Sequence, residues 1–181
     1  MRKYLAEFLG TFMLVFLGTA TVVIAKGDVL AIGLAFGLAI TVSAYAFGGI
    51  SGGHFNPAVT TAMLINRRID AADAIGYIIA QIIGAIVASA AVKSFVSALG
   101  LSATSLGQTD FPKIGSGMAF FVEALVTFLF LMVILNVTSN DHGNADFAGG
   151  SALSHLWVYI LAPEVGAILA AFCARVMGSE D

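Results

Sequence analysis

The residues that could do chemistry in this chain lie in one glycine-rich stretch, Gly48-Gly49-Ile50-Ser51-Gly52-Gly53-His54-Phe55-Asn56-Pro57-Ala58-Val59-Thr60. Asn56 is suited to cap a helix, since its side chain accepts from free backbone N–H groups, and Pro57 at the first helical position has no N–H to leave unsatisfied. The apolar run that follows ends near Ile65 and is too short to cross a bilayer. The pattern predicts a re-entrant loop from Gly48 that leads into a half-helix.

This loop indicates a chemistry of solute passage rather than of catalysis. If the half-helix begins near the bilayer midplane, the positive end of its dipole repels cations, while the Asn56 amide donates to a passing oxygen atom. Gly52 and Gly53 allow an extended backbone to turn carbonyl groups toward a lumen. An Asn-Pro-Ala triplet taken alone is also a commonplace loop-to-helix cap.

The rest of the chain has the composition of a membrane protein. Of its 181 residues, 59% are hydrophobic and 10% are charged, and the mean hydropathy is +0.98. Five stretches are long enough to span about 30 Å of hydrocarbon: Leu5 to Ala25, Val29 to Phe47, Ala74 to Leu99, Met118 to Val137 and Ala152 to Met177. We therefore expect an all-α transmembrane fold in one membrane domain, residues 1–181.

Other functional classes find little support in the sequence. The net charge is −3, and Arg67-Arg68 is the only basic pair near the loop, which argues against nucleic acid as a partner. His54, His142 and His155 are too scattered to suggest a metal site, and no nucleophile with a base and an orienting group is visible. We expect no enzyme activity, cofactor or metal.

The chain contains an incomplete internal repeat. The segment Ala6-Glu7-Phe8-Leu9-Gly10-Thr11-Phe12 aligns with Val122 to Phe128 at an offset of 116 residues (123 − 7), whereas Tyr77 to Ile86 aligns with Tyr159 to Ile168 at an offset of 82 (159 − 77). The difference, 116 − 82 = 34, predicts that the second half, about 115–181, lacks that many residues relative to the first half, about 1–100. Projected onto the first half, the gap covers the second span and the half-helix. Similarity by chance between apolar helices is the alternative explanation.

The stretch from Gly48 to Thr60 resembles the first signature box of the aquaporin and glycerol-facilitator (major intrinsic protein) family. The resemblance extends through Ala6 to Thr11, Gly76 to Gln81, and Leu156-Trp157 to Ala167. It implies a right-handed bundle of six helices and two half-helices, usually a homotetramer, that conducts water or small neutral solutes through the bilayer. Here the fifth span, the second Asn-Pro-Ala box and the filter arginine have no counterpart, so we expect five spans and one half-helix.

The resemblance also assigns roles to single residues. Gly52, Gly53, His54, Asn56, Pro57 and Ala58 would line the pore, with His54 also supporting the loop. Phe36 matches the aromatic filter position, where water-selective members carry Phe, although it is also one of fourteen phenylalanines. Glu7, Glu123 and Gln81 would hold the re-entrant loops. Both carboxylates could instead lie near helix ends and reach water, and the loss of one loop should deprive at least one of them of its donors.

Two functions follow from these features: a passive channel of the aquaporin type, or a non-conducting remnant or interaction subunit that lacks a complete pore.

With the N-terminus inside, Arg2, Lys3, Arg67 and Arg68 lie inside and Lys26, Lys93 and Lys113 outside, a mild positive-inside bias. The last span must then either run in reverse or be reached by a segment, about 138–151, that crosses the membrane as irregular chain. Short termini suit a bacterial inner membrane.

Overall fold

A computed structural model describes residues 1–102, 106–108 and 113–139 of the chain. Within these residues there are five α-helices: α1 (Arg2–Ile24), α2 (Val29–Ser51), α3 (Pro57–Ile65), α4 (Ala71–Ala98) and α5 (Ser116–Val137). All except α3 are long and apolar enough to cross a membrane. The first four predicted spans are therefore helices, whereas the fifth, Ala152 to Met177, lies outside the described residues.

Helices α1 and α4 pack against each other and run in the same direction. At their N-terminal ends, Lys3 forms an ion pair with Asp73, and the Tyr4 hydroxyl donates to the same carboxylate at 2.8 Å. Further along, Gly84 lies so close to α1 that a Cβ atom there would be 2.5 Å from the Phe8 carbonyl oxygen. Small residues of this kind let membrane helices approach at backbone distance. The contact fixes which residues of α4 can reach Glu7.

Helix α2 packs on the other side of α1 and is longer than the sequence indicated. The prediction that the span ends at Phe47 and that a loop begins at Gly48 is wrong, because the helix continues through both glycines to Ser51. Its C-cap is Gly52, which has a φ of 87° and donates its N–H to the Gly48 carbonyl. In a membrane the helical hydrogen bonds outweigh the low helix propensity of glycine, so the loop is confined to Gly52–Asn56.

The short helix α3 lies against α4 and α5. Arg68, just after α3, donates to the Leu135 carbonyl at 2.9 Å and to the Thr138 hydroxyl at 3.0 Å. A cation is favourable at these C-terminal carbonyls because they carry the negative end of the helix dipole. The contact also places the end of α5 beside the start of α4, so these two helices run in opposite directions.

The interior of the described bundle is polar where it surrounds the loop. Seven polar or charged residues are buried: Glu7, Thr11, Ser43, Ser51, His54, Thr60 and Gln81. Many large apolar side chains instead lie on the outside, and α5 has no buried residue at all. This distribution suits a lipid environment, in which apolar groups gain nothing by leaving the surface and polar groups must find partners inside.

Candidate functional site

The loop Gly52–Asn56 has a strained backbone between the two helices it joins. Three of its residues have positive φ: Gly52 at 87°, Gly53 at 70° and Phe55 at 50°. Glycine adopts this region readily, but a phenylalanine does so at a cost of about 1–3 kcal/mol and only when its surroundings enforce it. The contacts around Phe55 must therefore hold the loop in place.

Glu7 supplies the principal anchor from α1. One carboxylate oxygen accepts from the Ser51 hydroxyl at 2.6 Å and the His54 N–H at 3.0 Å; the other accepts from the Phe55 N–H at 2.7 Å and the Gln81 amide at 2.7 Å. All four neighbours are donors, so the group acts as an acceptor-only carboxylate. Hydrogen bonds to a charged acceptor contribute about 1.5–3 kcal/mol each, enough to offset the strain in the loop.

The Phe55 ring provides a second anchor through close packing. It occupies the space beside Gly10 of α1, where a Cβ atom would lie 2.2 Å from the ring. The side chain is 1% exposed. From α4, the Tyr77 hydroxyl donates to the Ser51 carbonyl at 2.7 Å, which ties the end of α2 to the same assembly.

Gln81 and His54 meet at Thr60, one turn into α3. The Gln81 amide donates to the Thr60 hydroxyl oxygen at 2.9 Å, and His54 Nδ1 lies 3.1 Å from the same oxygen. The Thr60 hydroxyl itself donates to the Asn56 carbonyl at 3.2 Å. This network connects the Glu7 carboxylate to the first turn of α3.

Asn56 caps α3 as the sequence indicated. Its side-chain oxygen accepts from the Ala58 N–H at 2.7 Å, and Pro57 occupies the first helical position. The oxygen is thereby occupied. No hydrogen bond joins the Asn56 amide nitrogen to any residue that the structure describes, so this group is left as a donor for something else.

The loop has one anchored side and one open side. Ser51, His54, Phe55, Val59 and Thr60 are buried, whereas Gly52 and Pro57 are exposed and Gly53, Asn56 and Ala58 are half-buried. Within the described part of the chain no donor reaches the carbonyl oxygens of Gly52 or Gly53. The open side thus presents carbonyl acceptors followed by one amide donor at the positive end of a helix, an arrangement that exchanges hydrogen bonds with a small neutral solute.

Phe36 lies apart from the loop, on the face of α2 that contacts α1. Its ring is half-buried and covers Gly18, where a Cβ atom would be 2.1 Å from the ring edge. The side chain therefore occupies a defined position rather than an arbitrary place on a lipid-facing surface.

Glu123 is not brought to the site. It is exposed on α5, and no residue described by the structure hydrogen-bonds its carboxylate. Glu7 has four donors, so the two carboxylates paired by the predicted repeat differ in their hydrogen bonds with the described residues.

The sequence reasoning overlooked Thr60, and it used Tyr77 only as a marker of the repeat. Both could have been found by helical spacing. Thr60 follows Asn56 by four residues and Tyr77 precedes Gln81 by four, so each shares a helix face with a residue already singled out. The role of Gly10 depends on a contact with a residue 45 positions away (55 − 10), which no local pattern reveals.

Comparison with known proteins gives a family and several relatives. The family model described as Major intrinsic protein matches residues 1–154. The chain is 83% identical over 216 aligned positions to the Glycerol uptake facilitator protein-like 6 of Lactiplantibacillus plantarum, with all of both chains covered. It is 34% identical over 227 positions to Aquaporin Z of Brucella melitensis, again with both chains covered.

A solved structure has a similar fold. The X-ray structure of the aquaglyceroporin from Plasmodium falciparum matches with a TM-score of 0.69 and 31% identity, over 78% of this chain and 62% of that one. The match thus spans less than two thirds of the length of that channel.

The alignment with the Lactiplantibacillus protein contains positions that this chain lacks. It extends over 216 positions and includes all 181 residues, so at least 216 − 181 = 35 positions have no residue here. Identity at 83% of 216 positions is about 179 residues, close to the full 181. The unmatched positions therefore account for nearly all of the difference between the two chains.

Proposed function

We propose, because this chain belongs to the major intrinsic protein family, that it provides a passive pathway through the bilayer for water and small neutral solutes such as glycerol. Members of this family are passive channels and not enzymes. The chain is an integral, multi-pass membrane protein with an all-helical fold. The pathway follows the open side of the loop, past Gly52 and Gly53 to Asn56.

The observation that carries this proposal is the two-sided loop. Its anchored side uses the Glu7 carboxylate, the Phe55 ring and the Tyr77 hydroxyl, which leaves the carbonyl groups of the glycines and the Asn56 amide free to face a solute. A solute that both accepts and donates can exchange hydrogen bonds along this side. A cation meets the positive end of α3 and is repelled.

The identity of the solute is a finer part of the proposal. Phe36 is the residue that water-selective members carry at the filter position, whereas the most similar relative quoted above is named as a glycerol facilitator. Phe36 favours water and the name of that relative favours glycerol, so we propose that both water and glycerol pass. As in the family, we propose a homotetramer in a bacterial cell membrane.

A second candidate is a non-conducting subunit that packs against intact channels. Two observations favour it: at least 35 positions of the Lactiplantibacillus protein are missing, and Glu123 has no partner within the described residues. The 35 missing positions agree closely with the 34 residues expected from the repeat offsets. This agreement supports an internal deletion that removed one wall of the pore.

Osmotic shrinkage of proteoliposomes distinguishes the two candidates. We expect purified protein to raise the water permeability above that of empty vesicles, and Asn56→Asp to lower it, because aspartate keeps the helix cap but removes the amide donor and adds negative charge. Asn66→Ala, at the exposed other end of α3, is the matched control and should conduct as the natural chain does. A permeability no higher than that of empty vesicles would contradict the channel and favour the non-conducting subunit.

A further inference from the structure

Two glycines of α1 each receive a phenyl ring from another part of the chain. Gly10 receives the ring of Phe55 from the loop, as described above, and Gly18 receives the ring of Phe36 from α2. At Gly18 an added Cβ would lie 2.1, 2.4 and 2.5 Å from three carbon atoms of that ring. The edge of the Phe36 ring thus occupies the volume in which any other residue would place its side chain.

The side of α2 that carries Phe36 is packed against α1. Ala39, one turn after Phe36, is 2% exposed, and Ser43 is fully buried with its hydroxyl 3.4 Å from the Gly10 carbonyl. These residues lie on the α1-facing side of α2, near Phe36. We therefore expect a methyl group at position 18 to turn the ring about its side-chain bonds rather than to displace the helix.

The direction of that turn matters for permeation. The ring is half-buried, and the volume on the α1 side is closed by the backbone of Gly18, so a displaced ring has to turn away from α1. If Phe36 borders the pathway, as the proposed function has it, the ring then projects further into the space that the solute uses.

We propose that Gly18 is a specificity-determining positioning residue: by having no side chain, it lets the Phe36 ring lie against α1 and keeps the pathway wide enough for glycerol. This inference depends on the proposed function for its effect on permeation. The contact between the two residues can be tested without it.

The experiment compares water and glycerol permeability in proteoliposomes for Gly18→Ala, Phe36→Ala and the double variant. Gly37→Ala is the matched control, since Gly37 is the next residue on α2 and a Cβ there meets nothing within 4 Å. We expect Gly18→Ala to lower the glycerol-to-water permeability ratio by roughly tenfold, the low end of what one methylene changes in a selective pocket. Phe36→Ala should cancel this effect, and Gly37→Ala should have none.

Thermal unfolding of the natural chain and of these four variants in detergent provides the readout that does not need conduction. We expect Gly18→Ala to lower the melting temperature in the natural background and to have a smaller effect when Phe36 is Ala, because the clash partner is gone. Additive shifts would overturn the contact itself. Equal losses of water and glycerol permeability, or a permeability ratio unchanged by Gly18→Ala, would overturn the selectivity role. A natural chain that conducts nothing would overturn both the proposed function and the selectivity role. In that case the melting temperatures still test the contact between the two residues.

Discussion

At the scale of single residues, Glu7 has the largest share in fixing the site. An ionisable group inside a membrane needs partners, and this carboxylate has four donors that come from α2, the loop and α4. Because each oxygen accepts two of them, neither oxygen can be replaced by a donor without leaving two polar groups unpaired. A side chain with the shape of glutamate but only one acceptor oxygen would therefore not preserve the site.

We therefore expect Glu7→Gln to destabilise the protein by about 2–6 kcal/mol, since two buried donors would each lose an acceptor at about 1–3 kcal/mol. The unfolding free energy is measured in detergent by denaturant titration. Glu123→Gln is the matched control at the repeat-related position, and we expect it to change the stability little. Equal effects of the two substitutions would contradict the assignment of Glu7 as the loop anchor.

At the scale of secondary-structure elements, the close contact between α1 and α4 determines whether Gln81 can reach Glu7. Gly84 lies about one turn beyond Gln81 and sets the separation of the two helices, because its neighbour is the backbone carbonyl of Phe8 and not a side chain that can move. The hydrogen bond from Gln81 to Glu7, at 2.7 Å, depends on this separation.

Gly84→Ala should separate the two helices and lower the stability by about 1–3 kcal/mol, the usual cost of overpacking. Water permeability should fall with it, since Gln81 would be drawn away from Glu7 and Thr60. Thermal melting in detergent and vesicle shrinkage measure the two effects. Gly33→Ala on α2, where a Cβ meets nothing within 4 Å, should leave both unchanged; a loss there of similar size would mean that glycine flexibility, and not packing, is what matters.

At the scale of the whole molecule, the two carboxylates paired by the predicted repeat, Glu7 and Glu123, differ in the contacts that they make with the described residues. The first half has Glu7, the loop and Gln81 in one network, whereas in the second half Glu123 is exposed and the position aligned with Gln81, at 81 + 82 = 163, is Pro163, which cannot donate. We propose that the positions present in the Lactiplantibacillus relative and lacking here include the donors for Glu123. This proposal would account for a carboxylate in the middle of an apolar helix that is exposed among the described residues.

The Lactiplantibacillus relative allows this explanation to be tested directly. If the additional positions of that protein supply donors to the residue aligned with Glu123, replacement of that residue by glutamine should cost about as much stability as Glu7→Gln does here. The same substitution in this chain should be nearly neutral. A neutral result in both proteins would show that the missing positions are not the partners of this carboxylate.

Much of the architecture could be predicted from the sequence, for reasons that differ between its parts. Long apolar runs predict spans because backbone groups in lipid must be satisfied within the helix, and Asn56-Pro57 predicts a helix start because capping is local. The continuation of α2 through Gly48 and Gly49 could not be predicted from propensities measured in water. The positive φ of Phe55, the packing of Phe36 on Gly18 and the contact of Arg68 with α5 depend on residues distant in the chain, which local patterns do not contain.

The Arg68 contact also has a consequence for the order of events during synthesis. The loop and α3 have partners on α1 and α4, so they can dock once Gln81 has been made, but the Thr138 hydroxyl is 70 residues beyond Arg68. Thr138 is 138 − 81 = 57 residues beyond Gln81, and at about 5–20 residues per second the ribosome takes roughly 3 to 11 s to make the chain between them. During that interval the half-helix is held on one side only, and the end of α5 closes the other side when it arrives.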